Sequence, residues 1–199
     1  MKTFVLECPE IPKDAFEAEQ HLKARGIDYD FIPAIHGETF GLLPGRPYNE
    51  NRPGRGELIP ISQVGLTLSH YMTWVMCSNL PDDYFMILEA DAKFPMNWKE
   101  ILDVALEDLP KDWDIFLIGN SHTTDKEEEH ICGDVWIIKY PFTTHAYLVR
   151  KKALDILLTT CRDATVPIDI LMIRKAYPLL KVYTMLPRLV EQRWTDLPV

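Results

Sequence analysis

Apolar positions along the chain fall into short runs separated by polar, glycine- and proline-rich text, and their period changes from run to run. Phe4 to Glu7 (FVLE) reads as a short buried strand, closed by Pro9 and Pro12 ahead of a helix from about Lys13 to Arg25 that Gly26 terminates. Tyr29 to Ile35 (YDFIPAI) reads as a second strand, so the opening is strand, helix, strand: a parallel pair with a crossover helix. Helical periodicity resumes from Ser62 to Asn79, with Ser62 as N-cap, Leu66, Tyr71, Trp74 and Val75 on the apolar faces, and Pro81 as the stop. Tyr84 to Leu88 is a near-continuous apolar run of the kind buried on both faces. A helix over Asn97 to Leu109 and a second buried strand over Trp113 to Gly119 follow. Val135 to Tyr140 and Thr144 to Val149 read as strands, Lys151 to Thr160 and Ile168 to Ala176 as helices, and Val182 to Leu186 as a last strand.

This alternation predicts an open, mostly parallel α/β sheet flanked by helices, in a single domain over residues 1–199. Two stretches interrupt it. GETFGLLPGRPYNENRPGRGELIP, a long loop at about 38–60, is rich in Gly, Pro and Arg; a loop of that length is functional or mobile. Ser121 to His130 (SHTTDKEEEH) is expected to be a charged surface loop.

Composition narrows the setting. The 199 residues are 47% hydrophobic, enough for one sizeable core, and the formal charge of −9 describes a surface that repels phosphate polymers on average. Cys8, Cys77, Cys132 and Cys161 form no CxxC pair and lie in or beside apolar text, which predicts reduced core thiols and a cytoplasmic setting. No run is long enough to span a bilayer, and the apolar run at the N-terminus is too short for a signal peptide.

The chemistry concentrates where the buried run MILEADAKF ends on Glu89 and Asp91. Ligands gather beyond the carboxyl ends of strands in α/β sheets, and two like charges held close either raise one pKa or call for a cation. Mn²⁺ or Mg²⁺ on a substrate diphosphate would satisfy both acids; a solvated turn after a strand is the plainer alternative.

Around this pair stand GLTLSH (Gly65 to His70) with Trp74, THAYLVRKKA (Thr144 to Ala153), and VPID (Val166 to Asp169), in that order. The order and spacing resemble glycosyltransferase family 25, the lipooligosaccharide- and collagen-modifying sugar transferases, whose text runs Gly-Cys-x-x-Ser-His, Glu-Asp-Asp, Ala-Tyr-x-Ile-Ser-x-x-Ala and Pro-Val-Asp. The resemblance implies a single-domain, Rossmann-like nucleotide-sugar fold of the GT-A type and a metal-dependent, inverting sugar transfer. Glu89 and Asp91 then fall on the outer acids that hold the metal, and Ala90 replaces the middle one. His145 and Gln192 are candidates for a further metal ligand. Asp169 becomes the catalytic base, its other role being to complement a helix N-terminus. Ser69 and His70 are expected beside the donor, the alternative being a helix face packing Trp74 against the core. AIHG (Ala34 to Gly37) falls where the family often has Ala-x-Asp-Gly, with His36 standing in for the acid, and Glu7, Cys8, Ala34 and His36 are candidate donor contacts.

Arg46, Arg52 and Arg55 make the long loop either a solvated excursion or a lid over acceptor or phosphate, since Arg binds phosphate through two parallel hydrogen bonds. The acceptor is expected to be a glycan or a hydroxylated polymer, hydroxymethylated DNA of the phage kind included. Two other readings compete: a nucleotide- or glycan-binding protein whose metal motif has degenerated at Ala90, and a metal-dependent phosphohydrolase lacking the His and Asp ligands of a two-metal site.

Overall fold

A computed structural model describes residues 1–8, 12–45, 47–48, 57–121, 128–138, 141–164 and 166–192. In chain order the elements are β1 (Lys2–Glu7), α1 (Pro12–Ala24), β2 (Asp30–Pro33), β3 (Pro47–Tyr48), β4 (Glu57–Leu58), α2 (Ile61–Ser78), β5 (Tyr84–Glu89), β6 (Ala92–Lys93), α3 (Trp98–Asp108), β7 (Ile115–Ser121), β8 (Glu128–Cys132), β9 (Val135–Ile138), β10 (Phe142–Arg150), α4 (Lys151–Thr160), α5 (Ile168–Leu171), β11 (Val182–Met185) and β12 (Glu191–Gln192). Eight strands form one sheet in the order β2-β1-β5-β10-β7-β11-β9-β8, with helices on both faces. The fold is α/β, as the sequence pattern predicts.

Strand direction differs from the mostly parallel expectation. β2, β1 and β5 run parallel, as do β7 and β11, but β10 lies antiparallel between β5 and β7, and β9 and β8 close the far edge antiparallel. No described helix separates β7 from β10, and a parallel return needs a long crossover, so the chain comes back antiparallel. The charged stretch read as a loop to His130 ends in strand β8, half of a hairpin with β9.

Two apolar layers sandwich the sheet. Along β5, Met86 and Leu88 face Leu22 of α1 and Trp98 and Leu102 of α3, while Phe85 and Ile87 face Trp74 of α2 and Leu154 and Leu157 of α4. The alternating register of one buried strand therefore feeds both layers.

Helix ends differ in two places. Helix α2 starts at Ile61 behind Pro60, which occupies the N-cap position without a side-chain cap bond, so Ser62 lies inside the first turn. The single helix expected to Ala176 is α only to Leu171, then widens into a π turn (Met172–Ala176) and tightens into a 3₁₀ turn (Tyr177–Leu179). Pro178 explains the break: it offers no N–H to an α-helix and its ring crowds the carbonyl four residues back.

Cys8, Cys77, Cys132 and Cys161 form no disulfide with one another. Burial pushes the Cys77 thiol up to about 12 and Cys161 up to about 11, which makes both inert. Cys132 is exposed and Cys8 half-buried, so only two of the four are core thiols. Among the described residues no helix is long and apolar enough to cross a membrane.

Candidate active site

The carboxyl ends of β2, β1 and β5 lie side by side, with Leu6 opposite Glu89 and Glu7 opposite Pro33. Glu89 is the last residue of β5 and follows Phe85 and Ile87 onto the α2 face. Its Oε1 accepts hydrogen bonds from Thr144 Oγ1 at 2.8 Å and from His70 Nε2 at 3.3 Å. Burial on its own pushes this carboxyl up, but those two donors outweigh it and hold Glu89 below the usual carboxylate range. Glu89 is therefore an anion at neutral pH.

Asp91 has the opposite electrostatics. Oδ2 accepts from Gln192 Nε2 at 2.9 Å, while Oδ1 is buried with no hydrogen-bond partner. Burial, then the charge of Glu89, raises its pKa above the ordinary value. The two acids of the motif are thus separated in role: one fully held, one left wanting a positive partner. The strand after them is fixed from below, because Arg25 Nε donates to the Phe94 carbonyl at 2.8 Å and the Phe94 N–H donates to His21 Nε2 at 2.8 Å. Gln192 reaches Asp91 because β12 pairs with β6, Gln192 lying opposite Ala92.

Asp169 stands in the first turn of α5. Its Oδ1 accepts the Ile170 N–H at 2.8 Å and its Oδ2 the Thr143 N–H at 3.4 Å. Burial raises its pKa, the two N–H groups offset part of the shift, and the Glu89 charge adds to it. Thr143 adopts φ 67°, a left-handed backbone that a β-branched residue avoids. It sits in a bulge where five residues of β10, Phe142 to Ala146, lie opposite only three of β7, Gly119 to Ser121. That bulge turns the Thr143 N–H toward Asp169 and the Thr144 hydroxyl toward Glu89.

Glu89, Thr143, Thr144, Asp169, Gln192 and Leu66 line one cavity of about 230 Å³. Hollows of about 550 Å³ and 730 Å³ lie elsewhere, the first along Ile137 and Tyr183, the second beside Asp83 and Arg150. The smaller cavity is the candidate site because it joins Glu89 and Asp169 at the carboxyl edge of the sheet, with Gln192, the partner of Asp91, in its wall.

Other sequence candidates divide. His70 is fully buried and bonds Glu89, so it lies behind the acid and not against a donor. Ser69 Oγ donates to the Gly65 carbonyl at 2.7 Å and accepts the Ile35 N–H at 2.8 Å, which ties α2 to the end of β2. A Cβ at Gly65 would lie 2.2 Å from the Ile35 carbonyl oxygen, so the Gly and Ser of GLTLSH serve that close contact. His145 is a correction to the proposed ligand set. Its Nε2 donates to the Val190 carbonyl at 3.2 Å and its Nδ1 pairs with Thr143 Oγ1 at 3.0 Å, leaving no lone pair for a metal. Gln192 reaches the site, by way of Asp91. Glu7, Cys8, Ala34 and His36 cluster at the ends of β1 and β2, where the Ala34 N–H donates to the Glu7 carbonyl at 2.6 Å and His36 Nδ1 pairs with Thr39 Oγ1 at 3.0 Å. Arg46, Arg52 and Arg55 lie outside the described residues. Thr143 and Thr144 line the cavity and were not singled out from the sequence; the segment THAYLV was a signal for Thr144, and Thr143 lies just before it.

Among the described residues no group of three or more His, Cys, Asp and Glu is arranged to hold a metal ion. Glu89, Asp91 and the Gln192 amide nonetheless supply hard oxygen atoms, and the unpartnered Asp91 Oδ1 marks where a cation would be welcome. Such a set suits a hard divalent ion that fills its remaining positions with water and substrate phosphate.

The family model described as glycosyltransferase family 25 (LPS biosynthesis protein) matches residues 16–172. The chain belongs to glycosyltransferase family 25. Within that family, a glycosyltransferase 25 family member of Aedes aegypti is 25% identical over 161 residues, 72% of this chain and 26% of that protein. Procollagen galactosyltransferase 1-B of Xenopus laevis is 28% identical over 141 residues, 62% and 22% of the two chains. Inactive glycosyltransferase 25 family member 3 of Homo sapiens is 28% identical over 124 residues, 59% and 20%. The chain thus spans about a quarter of the length of the curated relatives it matches. In fold it is similar to a glycosyltransferase involved in the glycosylation of the major capsid of PBCV-1, with a TM-score of 0.57, 12% identity, and 99% of this chain and 95% of that one covered. It is also similar to the inositol-1-phosphate CTP transferase of T. maritima, with a TM-score of 0.51, 14% identity, and 92% and 84% covered.

Proposed function

We propose that the family 25 chain is a metal-dependent glycosyltransferase that moves a sugar from a nucleotide-sugar donor to an acceptor hydroxyl with inversion. The observation that carries this reading is one cavity lined by Glu89 and Asp169, with the unpartnered Oδ1 of Asp91 at the same strand end. Glu89, Asp91 and Gln192 are the residues that would hold Mn²⁺ or Mg²⁺, and the ion would supply positive charge to the departing diphosphate. Asp169 is assigned as the base: its raised pKa suits a group that takes a proton from an acceptor hydroxyl, and its two backbone N–H partners fix its orientation. Leu66 gives the cavity an apolar wall. Glu7, Cys8, Ala34 and His36, at or just beyond the ends of the neighbouring strands β1 and β2, are assigned to the nucleotide in this reading.

For the acceptor, the names procollagen galactosyltransferase and capsid glycosylation favour a hydroxyl borne on a protein over hydroxymethylated DNA, and the net charge of −9 favours the same choice. The test is release of nucleoside diphosphate from a mixed set of nucleotide sugars, with and without Mn²⁺, and mass spectrometry of candidate acceptors. Metal-linked transfer by the wild type that Asp169→Asn lowers by roughly 100-fold or more is the expected result; unchanged turnover in Asp169→Asn removes the residue from that role.

A second reading is supported by Ala90 in place of an acid and by the similarity to a family member named inactive: a binding protein that has kept the fold without transfer. Metal-linked donor binding with no transfer to any acceptor and no donor hydrolysis would favour it.

A further inference from the structure

Behind Glu89 lies a buried chain of hydrogen bonds that the reaction does not touch. Trp74 Nε1 donates to Tyr147 Oη at 2.9 Å, Tyr147 Oη lies 3.0 Å from His70 Nδ1, and His70 Nε2 lies 3.3 Å from Glu89 Oε1. Trp74, Tyr147 and His70 are each fully buried, and the His70 and Tyr147 rings stack with centroids 5.8 Å apart.

For a neutral His70 imidazole, the direction of this chain follows from donor counting. An indole N–H only donates, so the Tyr147 oxygen accepts from Trp74. The one Tyr147 proton then has His70 Nδ1 as its partner, so Nδ1 accepts. Nε2 is left to carry the imidazole hydrogen and donate it to Glu89. Thr144 donates to the same oxygen, so both donors fall on Oε1.

From this geometry we infer that Trp74, Tyr147 and His70 are positioning residues: their one-way hydrogen-bond chain locks the His70 tautomer, ties down Glu89 Oε1, and presents Oε2 to the cavity for cation and donor. The three act through Glu89 and touch no substrate. The inference rests on the proposed metal-dependent transfer for what Oε2 meets, whereas the direction of the chain stands on the buried geometry alone. It also accounts for why a Trp follows GLTLSH by one helical turn: position 74 lies four residues after His70, on the same face of α2.

Nitrogen NMR of the full chain without metal reads the tautomer directly, and a protonated Nε2 with an unprotonated Nδ1 on His70 is expected. Mn²⁺ titration of Tyr147→Phe is expected to show affinity below the wild type, and His70→Ala, which removes the direct partner of a ligand, affinity about ten- to a hundred-fold below it. If Tyr147→Phe does not fold, His70→Gln, which can donate an amide N–H toward Oε1, should keep more Mn²⁺ affinity than His70→Ala. A His70 protonated on Nδ1, equal affinities in wild type and Tyr147→Phe, or equal losses in His70→Gln and His70→Ala would each overturn the inference. A wild type that takes up no Mn²⁺ would overturn the metal-dependent reading itself, and the tautomer would still decide the direction of the chain.

Discussion

Glu89 and Asp91 are separated by one residue and have opposite effects on stability. The Glu89 pKa is depressed, so its contribution is present above the unfolded value and lost as pH falls through the folded one. Asp91 is raised, so the stability linked to its proton is present below the unfolded value and lost as pH rises through the folded one. Glu89→Gln is therefore expected to lower stability near neutral pH by about 1.5–3 kcal/mol, the worth of hydrogen bonds to a charged group, with the deficit shrinking in acid. Asp91→Asn is expected to melt higher than the wild type near neutral pH, with the gain vanishing at acid pH, while losing Mn²⁺ affinity. Thermal melts of both variants across pH 3–8 check the pair. Two variants that shift the same way at pH 7 would contradict the assignment.

At the scale of elements, the site depends on how closely β7, β10 and the C-terminal segment approach. An added Cβ at Gly119 would lie 2.4 Å from His145 Nε2 and 2.9 Å from the Val190 carbonyl oxygen. His145 holds Val190, and two residues later Gln192 holds Asp91. Gly119→Ala is accordingly expected to cost about 1–3 kcal/mol by overpacking and to weaken Mn²⁺ binding as Gln192 shifts. Calorimetric melting and metal titration of this variant measure the two effects separately. The strands bearing this geometry were only partly legible. β1, β5 and β7 are continuous apolar runs and stand out; β6 and β12 are two-residue pairings set by tertiary contact, without periodicity of their own. Thr143 is the sharper case, because nothing in a Thr-Thr-His sequence announces a left-handed residue and a bulge. His145 misled for a related reason: a histidine on a strand reads as a ligand until the Gly119 that makes room for it is seen across the sheet.

For the whole molecule, the architecture followed from the alternation of apolar runs, and the mixed strand directions did not, since they depend on the return of β10 between β5 and β7. Of the candidate site, Glu89 and Asp91 were readable as acids at the end of an apolar strand and Asp169 through the resemblance carried by VPID, and the meeting of Glu89 with Asp169 in one cavity needed the folded chain. The roles of Ser69 and His70 changed once the helix was packed: one ties α2 to β2, the other supports Glu89. Electrostatics give the most direct test of the account. In calorimetric titrations of nucleotide sugars into the wild type and Asp91→Asn, with and without Mn²⁺, donor binding is expected to require Mn²⁺ and to be lost in Asp91→Asn, a variant at least as stable as the wild type. Donor binding of equal strength without Mn²⁺, or undiminished in Asp91→Asn, would contradict it.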